Sequence, residues 1–217
     1  MTPKNLVAPI ITVAAYDGLI QKDDIEKGLI VSLRVWPYSH KRDTYQLILN
    51  GQLAGAVHQL PDPLPEVGSP LTLVIEKYDL AADGLYEVAY RATNVLGGVS
   101  ADSPAMTIRC DRTAPGGPLL ASLLFSKKFS GEDATALVPG YAGMETGDTL
   151  HTLCNGIPGP THTVQPDELM VRPIEIRFEQ DFLLSLGAQS VVIDYSVTDR
   201  AGNNSIRSLP TTLEMAL

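Results

Sequence analysis

Cysteine, tryptophan, basic residues and long apolar runs are all scarce in this chain of 217 residues. It has two cysteines and one tryptophan, and a disulfide-stapled secreted domain would carry more cysteines at tight spacing. No apolar run approaches the ~18 residues of a membrane-spanning helix, so we expect no membrane insertion. The 16 Lys+Arg against 25 Asp+Glu give a net charge of −9, which argues against nucleic acid as a partner.

Sequence motifs of catalysis are also missing. The chain has no G-x-S-x-G elbow, no H-E-x-x-H zinc motif and no P-loop. Its four histidines stand in or beside predicted loops, without a fixed partner in the sequence. We therefore predict a protein that is not an enzyme and needs no cofactor, although a triad of distant residues stays open.

An internal repeat is the main feature that the sequence does contain. Residues 43–51 (DTYQLILNG) match residues 148–156 (DTLHTLCNG) at an offset of 105 residues. Residues 90–100 (YRATNVLGGVS) match residues 195–205 (YSVTDRAGNNS) at the same offset. The chain is therefore predicted to contain two copies of one unit.

The boundary between the copies lies in residues 111–119, DRTAPGGPL, which are polar and then rich in proline and glycine. Such a composition is typical of a short linker between domains. We therefore place domain 1 at residues 1–112 and domain 2 at residues 113–217.

Each copy reads as a series of short strands separated by frequent turns. Residues 28–36 alternate apolar and polar side chains, as a half-buried strand does. The Asn-Gly pair at 50–51 is a strong hairpin signal. With an initial strand at about 7–14, each copy has about seven strands in about 100 residues. We therefore predict an all-β chain of two tandem immunoglobulin-like β-sandwiches.

One local motif sharpens the fold prediction. Tyr86 follows Asp-Gly at the start of a strand, where immunoglobulin-like folds place a tyrosine whose hydroxyl bonds upstream backbone. Val88 then takes the position of the usual cysteine. In copy 2 the equivalent residues are Val191 and Ile193, so we expect this tyrosine corner in domain 1 alone.

The two cysteines, Cys110 and Cys154, fall at apolar positions of the repeats. We interpret them as buried thiols, with a cross-link between the domains as the alternative. His151 and Cys154 are three residues apart on a predicted strand and so point to opposite faces. A zinc site that joins them to His162 is therefore not expected.

Three segments resemble the tandem bacterial Ig-like repeats of large surface and secreted proteins. They are AYDGLI at 15–20, VPGYAGMETGDTL at 138–150, and YSVTDRAGNNS at 195–205. The resemblance implies a secreted or cell-surface protein, with stalk, adhesive or binding roles and further Ig-like repeats in a longer parent chain. Pro9 interrupts the apolar N-terminal stretch, so we see no convincing cleavable signal peptide.

The turn with Asp199, Gly202 and Asn203 is interpreted as structural, because short polar side chains there bond their own backbone. Calcium would need several converging carboxylates, and Asp199 is the one supplied locally, with Asp111 alone at the domain junction. We therefore predict no metal site.

An aromatic and basic segment after the first long strand is the candidate binding site. Its residues are Trp36, Tyr38, His40, Lys41 and Arg42. Trp, Tyr and Arg dominate binding hot spots, so this loop is a candidate contact for a protein or glycan receptor. The alternative is that Trp36 packs in the core and the rest forms a solvated turn.

Three functions follow from these features. The first is a non-enzymatic tandem module of a bacterial surface or secreted protein, acting in adhesion, display or spacing. The second is a receptor- or carrier-binding part of a secreted toxin or effector. The third is a carbohydrate-binding module, which would use the loop at 36–42.

Overall fold

The chain folds into two compact units, Met1–Arg112 and Thr113–Leu217. The computed structural model describes residue 3, residues 5–126 and residues 131–215. Each unit buries its own cluster of apolar side chains between two antiparallel sheets. Each unit is therefore an immunoglobulin-like β-sandwich, and the predicted all-β fold class is confirmed.

The described residues of unit 1 form seven strands and two short helical segments. The strands are β1 (Leu29–Arg34), β2 (Thr44–Leu49), β3 (Gln52–Gln59), β4 (Pro70–Ile75), β5 (Gly84–Thr93), β6 (Ser100–Asp102) and β7 (Met106–Cys110). Helix α1 spans Lys22–Lys27 and a 3-10 helix spans Lys77–Leu80. One sheet pairs β1 with β4, and the other has the order β3-β2-β5, with β6 and β7 both paired to β5.

Unit 2 repeats this arrangement. Its strands are β8 (Leu124–Phe125), β9 (Ala134–Val138), β10 (Thr149–Cys154), β11 (Ile157–Thr163), β12 (Ile174–Phe178), β13 (Ser190–Thr198) and β14 (Thr211–Glu214). Helix α2 spans Gln180–Ser185 and a 3-10 helix spans Pro166–Leu169. The sheets have the orders β12-β9-β8 and β11-β10-β13-β14. In the described part of the chain, no helix is long and apolar enough to cross a bilayer.

The predicted first strand at 7–14 is wrong. In this segment only Ile10 pairs with a strand: its N–H and that of Ser32 each bond the other's carbonyl at 2.8 Å. The chain then turns, with the N–H of Ala14 bonded to the carbonyl of Ile11, and the turn ends the pairing. Unit 1 still reaches seven strands because its last strand is divided into β6 and β7 around Pro104.

The sequence repeat reappears in the hydrogen bonds. Asn50 donates its N–H to the carbonyl of Glu87 and accepts the N–H of Glu87 on Oδ1, at 2.9 Å each. Asn155 makes the same pair of bonds with Val192, at 2.8 and 2.9 Å. The turn after the second strand is therefore clamped to the neighbouring strand identically in both units.

Both cysteines are free and buried, so the interpretation as buried thiols is confirmed. Burial raises the pKa of Cys110 and that of Cys154 to about 11 each. The neutral thiol is therefore the form that both units hold at neutral pH.

The predicted tyrosine corner is confirmed in unit 1. The Tyr86 hydroxyl donates to the carbonyl of Ala82 at 2.9 Å and accepts the N–H of Ala82 at 3.3 Å. Val88 is fully buried beyond it, as are Val191 and Ile193 at the equivalent positions of unit 2. The hydroxyl thus fixes the chain just before β5, the strand that pairs with three others in its sheet.

Replacement of Tyr86 by Phe removes this hydroxyl and leaves the ring in place. We expect Tyr86→Phe to lower the free energy of unfolding of unit 1 by about 1 kcal/mol, the usual net contribution of one hydrogen bond. Urea unfolding measures the change, and Tyr38→Phe, at an exposed ring, is the control. Equal midpoints for the two variants would contradict the role of the corner.

Candidate binding site at one end of unit 1

Two loops of unit 1 meet at one end of the sandwich. Residues 35–43 connect β1 to β2, and residues 94–99 connect β5 to β6. Because Thr44 pairs with Thr93, the two loops begin side by side where these strands meet. We call these two loops the tip loops.

A buried carboxylate, that of Asp43, joins the tip loops. Asp43 Oδ2 accepts the N–H of His40 at 2.9 Å, and Oδ1 accepts the N–H of Val95 at 2.9 Å. Asn94 donates from Nδ2 to Asp43 Oδ1 at 3.4 Å. Hydrogen bonds to a charged acceptor are stronger than neutral ones, and more so away from water. Asp43 therefore holds both loops in one arrangement.

Asn94 continues this network into the second loop. Its Oδ1 accepts the N–H of Leu96 at 3.0 Å and of Gly97 at 3.2 Å. Its Nδ2 lies 3.3 Å from Nδ1 of His40. The backbone at the top of the second loop is therefore fixed by side chains from both loops.

The structure separates Trp36 from the other predicted site residues. Trp36 is 2% exposed and lies in the core, with its ring edge-on to that of Tyr45 at 6.4 Å between centroids. Its indole is therefore not available to a ligand at the surface. Tyr38, in contrast, is 72% exposed.

The basic residues of the candidate site lie at the surface of the same loop. Lys41 pairs with Asp62 at 2.9 Å, and both side chains are exposed. The His40 side chain is partly exposed, and its Nδ1 lies 4.0 Å from Oδ2 of Asp43. Arg42 is exposed. An exposed ion pair contributes little to stability, so Lys41 is not what shapes the loop.

Two non-glycine residues of this loop adopt left-handed backbone. The φ angle is 61° at Tyr38 and 68° at Arg42. Such conformations are disfavoured for residues with a Cβ and persist where the surroundings impose them. The N–H of Arg42 bonds the carbonyl of Leu60 at 3.0 Å, next to the buried Asp43. The loop therefore presents Tyr38 and Arg42 on a backbone that the rest of unit 1 sets.

The second tip loop was not predicted from the sequence. Val95, Leu96 and Val99 are all exposed there, Leu96 to 76%. With Tyr38 they place exposed apolar side chains on both loops. One signal was available: Asp43 recurs as Asp148 in the repeated Asp-Thr, and an acid at one position of both copies marks a shared structural role.

Unit 2 has the same acid in a different setting. Asp148 Oδ2 accepts the Tyr141 hydroxyl at 2.9 Å and the N–H of Glu145 at 3.0 Å. Its Oδ1 is buried and has no hydrogen-bond partner among the described residues. The residue equivalent to Asn94 is Asp199. Burial, with added repulsion from Asp199 and Glu145, raises the pKa of Asp148 although two donors oppose the shift.

The turn at Asp199 is structural, as predicted. Asp199 accepts the N–H of Asn203 on Oδ1 at 2.8 Å and the Nδ2 of Asn203 on Oδ2 at 2.9 Å. Among the residues that the structure describes, no three His, Cys, Asp or Glu side chains are placed to hold a metal ion. His151 is exposed whereas Cys154 is buried, so these two do not converge.

Comparison with known proteins gives similarity of structure alone. No protein-family model and no curated protein matches the chain. The structure is similar to fibronectin(III)-like modules of CbhA from Clostridium thermocellum, with 12% identity and a TM-score of 0.44, over 95% of this chain and 92% of that one. It is also similar to dimeric latent PorU from Porphyromonas gingivalis, with 13% identity and a TM-score of 0.33. This second match covers 98% of this chain and 20% of PorU.

Loss of the Asp43 carboxylate is expected to loosen both tip loops. Asp43→Ala leaves the N–H groups of His40 and Val95 without their acceptor, which should cost about 2–3 kcal/mol of unfolding free energy. Urea unfolding measures the loss, and hydrogen exchange at the Val95 amide should accelerate. Asp62→Ala, which breaks only the exposed pair with Lys41, should cost less than about 1 kcal/mol. Equal costs would show that Asp43 does not hold the loops.

Asp148 should make unit 2 sensitive to pH in a defined direction. A carboxyl whose pKa is raised on folding stabilises most when protonated, and this contribution is lost as the pH rises through the folded-state pKa. Between about pH 4 and about pH 8, wild type should therefore lose stability relative to Asp148→Asn. Urea unfolding at both pH values measures the difference. Asp181→Asn, at an exposed carboxylate on α2, should track wild type, and identical pH profiles for all three proteins would contradict the prediction.

Proposed function

We propose that this chain is a non-enzymatic pair of Ig-like modules of a bacterial surface or secreted protein, acting in adhesion, display or spacing. Unit 1 contacts the partner through its tip loops. The observation that carries the proposal is the buried Asp43, which fixes two loops that each present exposed apolar side chains.

The tip loops have the physical properties of a binding surface. Association costs less entropy when the contacting side chains stand on backbone that is already ordered. Tyr38 is an aromatic of the kind enriched in hot spots. Val95 and Leu96 are exposed on the second tip loop, which Asp43 connects to the loop that carries Tyr38. Arg42 adds an exposed cation to the first tip loop. Loops on a rigid sandwich commonly carry binding in this way.

A protein partner fits this surface better than a glycan. Sugar rings stack on exposed aromatic faces, and the chain's one tryptophan is buried. Tyr38 is the exposed aromatic of the tip loops, and its exposed neighbours on the second loop are aliphatic. Aliphatic side chains gain from burial against another apolar surface rather than against hydroxyl-rich sugars. A glycan receptor is the alternative that the test below distinguishes.

A receptor- or carrier-binding part of a toxin or effector would use the same tip loops. The two functions differ in the parent protein and not in the contact. An immunoblot of cells and culture medium of the source organism separates them. A band near 23 kDa favours a free binding part, and a far larger band favours a module within a repeat array.

The tip loops can be tested with one double variant. Tyr38→Ala combined with Leu96→Ser removes the most exposed apolar side chain of each loop. The labelled chain is titrated onto the envelope fraction of the source organism and onto a glycan array. We expect the variant to bind the envelope at least about 30-fold more weakly than wild type, as for the loss of one hot-spot residue.

The matched control replaces two exposed apolar residues elsewhere in unit 1. Tyr78→Ala with Leu85→Ser removes side chains of the same types, which are 79% and 69% exposed. This control should bind as wild type does. Equal loss in both variants would overturn the tip loops as the contact, and Tyr38-dependent binding on the glycan array would favour the carbohydrate function.

A further inference from the structure

Unit 2 has a groove between two strands that belong to different sheets. Strands β8 and β14 are each the last strand of their sheet order. Between them lies a groove of 480 Å³, lined by residues 122–126 and 211–214. Its floor includes Leu123 and Leu213, which are both buried, and its rim includes the exposed Leu124.

In unit 1 the equivalent edge is covered by the chain itself. The N–H of Arg109 on β7 bonds the carbonyl of Gly18 at 2.8 Å, and the N–H of Ile20 bonds the carbonyl of Arg109 at 3.0 Å. Leu19 pairs with Arg109 in parallel. Leu19 and Ile20 are both buried. A segment of one glycine followed by two aliphatic residues, Gly18, Leu19 and Ile20, thus completes the sandwich at this edge; we call such a segment glycine-led.

The register of the repeats places Glu214 where unit 1 has Arg109. Ile108 pairs with Tyr86 and Leu213 pairs with Val191, and Tyr86 and Val191 are equivalent positions. Arg109 and Glu214 are the next residues along the two strands. The backbone of Glu214 is therefore oriented as that of Arg109 is, toward the outer edge of its sheet.

Nothing in the described residues of unit 2 takes the place of the covering segment. No strand or isolated pair outside β13 is bonded to β14 there. In unit 1, 18 residues separate Ile10 from Leu29, and they include the covering segment and α1. In unit 2, 8 residues separate Phe125 from Ala134. The connection in unit 2 is therefore 10 residues shorter.

We propose that this groove binds an extended, glycine-led aliphatic strand of a partner protein, which adds to β14 in parallel. Addition of a strand to an open sheet edge is a general mode of peptide recognition. The N–H and carbonyl of Glu214 provide the backbone bonds, and the aliphatic side chains of the partner pack against the exposed Leu124 at the rim of the groove. This contact is separate from the tip loops, so it stands or falls independently of the proposed function.

The need for glycine follows from the close approach seen in unit 1. Gly18 has a φ of +81°, and a Cβ added to it would lie 2.8 Å from the carbonyl oxygen of Thr107. Thr212 is the residue of unit 2 equivalent to Thr107. A partner strand that sits as residues 17–20 do would meet the same backbone, so a glycine before the two aliphatic residues is part of the recognised chemistry.

The proposal is tested with the segment of unit 1 as a probe. A fluorescent peptide with the sequence of residues 14–22, AAYDGLIQK, is titrated with the full chain, and its anisotropy is followed. We expect saturable binding. A peptide with serine in place of the leucine and isoleucine should bind at least tenfold more weakly, because two buried aliphatic side chains are lost.

Variants of the full chain locate the binding in the groove. Leu124→Asp places a charge on the rim and should weaken peptide binding at least tenfold. Ile206→Asp changes an equally exposed residue outside the groove and should bind as wild type does. Glu214→Pro should abolish binding by removing the outward N–H, and its urea unfolding curve shows whether it is folded.

The outcomes decide between occupants of the groove. Slowed hydrogen exchange at the Glu214 amide in the presence of the peptide supports strand addition. No binding, or equal binding to Leu124→Asp and Ile206→Asp, overturns the proposal. Dimers that form without peptide and disappear in Leu124→Asp would assign the groove to a second copy of this chain, which also overturns it.

Discussion

The pairing of β2 with β5, repeated as β10 with β13, is the constraint on which the rest of each unit depends. The Asn-Gly turn sets its register, because Asn50 and Asn155 each clamp the turn to the neighbouring strand with two hydrogen bonds. A slip of one residue would exchange the buried and exposed faces of the strand. The same register brings Thr44 opposite Thr93, and so it places both tip loops at one end of unit 1.

Features coded by local chemistry were predictable from the sequence, and features that depend on distant contacts were not. The Asn-Gly turn and the Tyr86 corner each involve residues a few positions apart. Whether Trp36 is buried depends on how the segment after β1 packs against the rest of the core, for example against the ring of Tyr45 on the next strand. The role of Asp43 depends on Val95, 52 residues further along the chain. No local sequence pattern therefore predicts it. The strand expected at 7–14 had suitable apolar residues, but strand formation also requires a partner, and only Ile10 has one.

The two units show how one scaffold supports different electrostatics. Asp43 and Asp148 occupy one repeat position, and both are buried. In unit 1 the facing residue is Asn94, whose amide donates to Asp43 in addition to the N–H groups of His40 and Val95, and both carboxylate oxygens have partners. In unit 2 it is Asp199, which has no amide N–H to donate, and one oxygen of Asp148 is left without a partner among the described residues. Exchange of this amide for an acid removes a donor and adds repulsion from Asp199 to the burial that is the main cause of the raised pKa of Asp148.

The two edge strands of the larger sheet in unit 2, β11 and β14, differ in sequence, and β14 is the strand beside the groove. At one edge, β11 contains Pro158 and Pro160. Proline lacks an N–H, and natural sheets use it on edge strands to prevent pairing with other chains. At the other edge, β14 has the sequence TTLE, without proline. A short strand and a charged side chain also guard sheet edges, and β14 has both, with four residues that include Glu214. Neither of these removes a backbone N–H, whereas each proline of β11 does. The edge at β14 therefore keeps the backbone groups that the proposed partner strand needs.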